Sequence, residues 1–193
     1  LAAKKAVISP RLFENLQKIE LLITDKAYKD ALSQLKGLTE TLKKGTYEEA
    51  VVLRLKASVY IQNEQYPKAI KILLQCQQLD VLPDNQEQQL LINLGQLYLA
   101  EGQYQKAIDL IELWLKDNPN PTAGINALTA SAYAQLRQYA KALHFITKAV
   151  KASKEPVEGW LKLKLALHFQ LQQYQPASKL LEQLIRLYPD KKV

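Results

Sequence analysis

Catalysis or metal binding needs nucleophiles, bases or ligands within reach of one another, and this chain supplies few. Its two histidines, His144 and His168, have no carboxylate or thiol at a spacing that would share a metal. The single cysteine, Cys76, excludes an intrachain disulfide and falls on an apolar stripe, where a thiol acts as a small hydrophobe. The acidic pair Glu48 and Glu49 opens a helical segment, where carboxylates favour the positive end of the helix dipole. Glycine-rich phosphate loops, CxxC pairs and HExxH are all missing from the 193 residues. The chain is therefore expected to be no enzyme, to hold no metal or cofactor and to take no small-molecule substrate.

The ten tyrosines have a different logic. Tyr followed three residues later by Ala recurs at Tyr28/Ala31, Tyr66/Ala69, Tyr104/Ala107, Tyr139/Ala142 and Tyr174/Ala177. Apolar residues follow at Leu35, Leu73, Ile111, Ile146 and Leu181, then at Leu38, Cys76, Trp114, Ala149 and Leu184. That spacing is one stripe of an α-helix. A second stripe precedes each tyrosine, as in Leu91, Leu94, Gly95 and Tyr98. The tyrosines are thus packing residues of a repeat, not a stacking platform for bases. Prolines fall between stripes or in a helical first turn, as Pro67 and Pro176 do. The spacing predicts ten helices near 10–24, 28–43, 47–62, 66–79, 84–101, 104–117, 121–136, 139–152, 156–171 and 174–188.

The segment LINLGQLYLAEGQYQKAIDLIELWLKDNP, residues 91–119, resembles the tetratricopeptide repeat at Leu94, Gly95, Tyr98, Gly102, Tyr104, Ala107 and Pro119. The resemblance implies an all-α fold, a right-handed superhelical α-solenoid of about five helical hairpins. The repeats lie near 11–44, 47–80, 86–119, 121–154 and 156–189 of a single domain over 11–189, after a tail or linker at 1–9. Gly95 and Ala107 are then small because two helices cross closely, and Gly102 lets the chain reverse. The ends, PRLFENLQKIELLITDKAYKDALSQLKGL and WLKLKLALHFQLQQYQPASKLLEQLIRLYPDKKV, are similar to the periplasmic tetratricopeptide proteins associated with TonB–ExbB–ExbD systems of Gram-negative bacteria. That similarity implies a periplasmic accessory of an envelope energy-transduction complex; the cytoplasm is the alternative compartment. The chain begins at Leu1 and lacks Met, so it is expected to be part of a longer protein.

Such a scaffold binds a peptide or partner protein in its concave groove, lined by the first helix of each hairpin. With the Leu91, Leu94, Gly95 and Tyr98 stripe turned inward, Gln89, Ile92, Asn93 and Gln96 face the groove. The same phase gives Arg54, Ser58 and Gln62, then Ser131 and Gln135, then Lys162 and Phe169. It assigns Phe13, Leu16, Glu20 and Ile23 to the groove in the first repeat. Chaperone-binding relatives grip a terminal carboxylate with Lys and Asn; the matching places here are Leu16, Glu20, Arg54, Ser58, Ile92 and Gln96, so that pattern is missing. The formal net charge is +7, spread thinly until residues 151–193, which hold eight basic against four acidic residues. This describes a solvated basic surface, and nucleic acid is not the expected partner. Two alternatives are a basic adaptor for an acidic protein, anionic lipid or nucleic acid, and an element that self-assembles through the apolar terminal helix near Leu180, Leu181, Leu184, Ile185 and Leu187.

Overall fold

The computed structural model describes residues 6–189. Residues 1–5 of the expected tail lie outside the described residues. Ten α-helices form: α1 (Pro10–Thr24), α2 (Tyr28–Thr41), α3 (Tyr47–Gln62), α4 (Tyr66–Gln78), α5 (Asp84–Ala100), α6 (Tyr104–Asp117), α7 (Ala123–Gln135), α8 (Tyr139–Ala152), α9 (Glu158–Gln170) and α10 (Tyr174–Leu187). Every predicted helix is present, and no strand occurs among the described residues. The fold is an all-α helical repeat.

The chain divides into two compact units, one ending at Glu101 and the other starting at Gly102. In the first, α1 packs on α2 and α3, α2 on α3, α3 on α4, and α4 on α5. One core joins Leu12, Leu16, Ile19 and Ile23 of α1 to Ala31, Leu35, Val52 and Val59. Leu16 and Ile23 therefore belong to the core and not to a groove. The four apolar residues of α1 recur every three to four positions and form its buried stripe, which leaves Phe13 and Glu20 exposed. In the second unit α6 packs on α7, α7 on α8 and α9, α8 on α9, and α9 on α10. Leu161, Leu165, Ala177, Leu180 and Leu184 form its terminal core.

The repeat alanines Ala31, Ala69, Ala107, Ala142 and Ala177 are all fully buried. Two residues before each repeat tyrosine the chain enters the left-handed region: Lys26 (φ 58°), Glu64 (φ 54°), Gly102 (φ 70°), Arg137 (φ 57°) and Gln172 (φ 56°). At Glu64 this closes a Schellman turn, with Glu64 N–H donating to Ile61 O at 3.0 Å and Gln65 N–H to Tyr60 O at 2.8 Å. The same pair of bonds recurs at Lys26/Ala27, Arg137/Gln138 and Gln172/Gln173.

Only one of the five positions is glycine, so the other four hold a side chain in a conformation that costs about 1–2 kcal/mol. Glu64→Gly is expected to stabilise the chain by about 0.5–1 kcal/mol, part of the relief being lost to the freer unfolded state. Urea denaturation followed by circular dichroism at 222 nm checks this; a destabilised variant would mean that the Glu64 side chain is itself needed in the turn.

Candidate peptide-binding groove

Thr46 caps α3, its hydroxyl accepting from Glu49 N–H at 3.3 Å, and this fixes the helix phase from its first turn. The helix then buries Ala50, Val52, Leu53, Ala57 and Val59. A different stripe, Tyr47, Val51, Arg54, Leu55, Ser58 and Ile61, lines a cavity of about 590 Å³. From α5 come Gln86, Leu90 and Asn93, four and three residues apart on one face, and Ala57 of α3 and Leu73 of α4 complete the lining. Valine, leucine and isoleucine alternate with an arginine, two hydroxyls and two amides. Such a surface can hold side chains and bond a peptide backbone together.

Arg54 is the centre of the polar part. Its Nη1 donates to Gln86 Oε1 at 2.5 Å, while Gln86 Nε2 donates to Tyr47 Oη at 2.9 Å. Gln86 thus orients the guanidinium without neutralising it. No carboxylate lies within 4.0 Å of Arg54 among the described residues. The buried Glu49 is occupied elsewhere: it accepts from Lys44 Nζ at 3.1 Å and from Gly45 N–H at 2.7 Å. Beneath this region Cys76 is fully buried, its Sγ 3.6 Å from Ala50 O. Burial pushes its thiol up to about 11, against the pull of the Arg54 charge and with a smaller push from Glu49. Cys76 is packing, and not a nucleophile.

Of the residues expected in the groove of the first unit, Arg54, Ser58 and Asn93 line this cavity. The Ser58 hydroxyl donates to Leu55 O at 2.8 Å, and Asn93 Oδ1 accepts from Gln89 Nε2 at 2.9 Å. Gln62, Gln89 and Gln96 are exposed and lie outside the lining. Ile92 is a correction: it is 5% exposed and belongs to the core. In α5 Leu90, Leu91, Ile92, Leu94, Leu97 and Tyr98 are all buried, so the covered face is wider than the Leu91, Leu94, Gly95 and Tyr98 stripe alone. Tyr47 and Gln86 were not singled out by sequence reasoning. Each stands seven residues before a groove residue, Arg54 and Asn93, so two turns of the same stripe would have reached them.

In the second unit Ser131 is half-buried with its hydroxyl on Ala127 O at 3.0 Å, and Gln135 is exposed. Lys162 Nζ pairs with Glu158 at 3.0 Å, a half-exposed (i, i+4) pair, and Phe169 is exposed. His168 is buried, with its Nδ1–H donating to Gln173 Oε1 at 2.8 Å. His144 is exposed and sets its ring edge-on to Phe145. No group of three or more His, Cys, Asp or Glu side chains among the described residues could hold a metal. No described helix is long and apolar enough to cross a membrane.

This succession of hairpins defines the class. Family models of the tetratricopeptide repeat match residues 48–113 and 123–156. The chain carries tetratricopeptide repeats. Both models describe the repeat itself, and neither is specific to TonB-associated proteins. No curated protein sequence is significantly similar to the chain. Among solved structures, MamA residues 41 to the end from Desulfovibrio magneticus RS-1 superimposes with a TM-score of 0.80 at 15% identity, covering 97% of this chain and 100% of that one. A tetratricopeptide repeat protein from Parabacteroides merdae gives 0.79 at 16% identity, covering 95% of this chain and 69% of that one. At such identities the likeness is one of fold.

Proposed function

We propose that the chain is a non-enzymatic protein–protein interaction scaffold. It binds an extended segment of a partner protein between α3 and α5, with an acidic side chain of that segment against Arg54. The observation that carries this is the half-buried guanidinium, held in place by Gln86 and lacking a carboxylate, in a cavity with apolar walls. A charge withdrawn from bulk water without a partner is costly, and a ligand carboxylate relieves that cost. The site has a single cation at its centre, so it suits an internal acidic residue better than a clamp on a chain terminus. Asn93 and Gln86 can bond the ligand backbone on either side. The similarity of the chain ends to periplasmic TonB-associated proteins supports a partner in the bacterial envelope; the family models and structural neighbours support the repeat alone.

The test is a displayed random-peptide library panned on the intact chain, with selected peptides measured by titration calorimetry. An acidic residue should be enriched at one fixed position. Arg54→Gln should weaken those peptides at least tenfold, since deleting one partner of a desolvated charge pair costs about 2–5 kcal/mol. The melting temperature should not move. No acidic preference, or equal affinity for Arg54→Gln, would overturn the proposal.

A further inference from the structure

A second pocket lies wholly within the second unit, where the loop between α6 and α7 meets the end of α8. It has a volume of about 370 Å³, and Pro119, Pro121, Asn126, Lys148, Lys151 and Ala152 are among its lining residues. Asn126 is 3% exposed. Its Nδ2 donates to both Pro121 O and Thr122 O, each at 3.2 Å, which fixes the amide's orientation because both partners can only accept. Its Oδ1 is left as a buried side-chain oxygen without a hydrogen-bond partner. Native proteins rarely leave such an atom unpaired, so it calls for a donor.

The rest of the pocket calls for negative charge. Lys148 and Lys151 are exposed, three residues apart on one face of α8, and neither has a carboxylate within 4.0 Å among the described residues. Lys148 Nζ instead lies 5.8 Å from the centre of the Phe145 ring. A simple oxyanion such as sulfate answers the lysines but has acceptors only, so Asn126 Oδ1 stays unpaired. An acidic peptide answers both needs, because it brings a backbone N–H to donate and a carboxylate to pair with the lysines. The prolines and Ala152 give such a chain an apolar wall to lie against.

We infer that this pocket binds an acidic segment of a partner protein, with a peptide N–H on Asn126 Oδ1 and an Asp or Glu carboxylate between Lys148 and Lys151. The site is independent of Arg54 and needs no occupant there.

The test is an NMR titration of the intact ¹⁵N-labelled chain, following the Asn126 side-chain amide. The probes are Ac-Gly-Asp-Gly-Asp-NH₂, its Asn counterpart Ac-Gly-Asn-Gly-Asn-NH₂, and sodium sulfate at matched ionic strength. The Asp peptide should give saturable shifts, and both other probes should bind at least tenfold more weakly. Lys148→Gln/Lys151→Gln should lose at least tenfold in affinity for the Asp peptide. Both side chains are exposed, so its melting temperature should equal that of wild type. Arg54→Gln should titrate as wild type does, which separates this site from the α3/α5 groove. An Asn126 amide that does not move with the Asp peptide would overturn the inference. So would sulfate binding as tightly as the peptide, or a double lysine variant that binds unchanged.

Discussion

Ile146→Ala is expected to destabilise the unit that begins at Gly102 by about 2–5 kcal/mol. Ile146 is fully buried, at the repeat position four residues after Ala142. Its helix, α8, packs on both α7 and α9, so the space left by the deleted carbons has walls on two sides. Ala142 and Ala149, on the same stripe, are also fully buried and have no long side chain to swing into the gap. The cavity therefore persists, and its cost adds to the lost burial. Ile146→Val removes one carbon and should cost about 0.5–1.5 kcal/mol. Both tryptophans, Trp114 and Trp160, lie in this unit, so fluorescence-detected urea unfolding reports it directly. A loss below about 1 kcal/mol for the alanine variant would show that the stripe is not closed on both sides.

The same stripe explains why the fold was legible. The second helix of each hairpin buries one narrow face, so Ala31, Leu35 and their equivalents announce the period in residue type alone. The first helices α3, α5 and α7 bury a wider face. In α5 Leu90, Leu91, Ile92, Leu94 and Leu97 are all buried, and apolar pattern alone cannot say which side remains open. That is why sequence pattern puts Ile92 in the groove. Leu16 and Ile23 are misplaced because the phase of α5 does not carry over to α1, whose own narrow buried stripe is Leu12, Leu16, Ile19 and Ile23. The left-handed turns are hidden for another reason: Lys26, Glu64, Arg137 and Gln172 give no compositional sign of a positive φ, and only Gly102 does. The polar part of the α3/α5 groove depends on partners far apart in sequence, since Gln86 meets Arg54 across 32 residues. The unpaired oxygen of Asn126 is hidden although its partners are local, because only the folded turn shows that the Pro121 and Thr122 carbonyls take up its amide nitrogen alone.

Glu49→Ala is expected to cost about 2–3 kcal/mol, nearly all of it through one hydrogen bond. Glu49 is 6% exposed at the start of α3, directly after the tight connection from α2. In that connection Gly45 has φ +69°, a conformation that turns its N–H toward the helix, where Glu49 Oε2 accepts it at 2.7 Å. Thr46 returns the favour by accepting from Glu49 N–H, so the two residues satisfy donors on both sides of the helix start. Glu49 also meets Lys44 Nζ at 3.1 Å, but the lysine side chain is 71% exposed. An ion pair with so solvated a partner is worth little, so Lys44→Ala should change stability by no more than about 0.5 kcal/mol. Glu49→Gln keeps an acceptor for Gly45 N–H and should lose less than half of what Glu49→Ala loses. Urea unfolding of the three variants, followed at 222 nm, separates the two contributions. If Lys44→Ala were as costly as Glu49→Ala, charge pairing and not the backbone hydrogen bond would hold this turn, and the closure of α2 onto α3 would weaken steeply with salt.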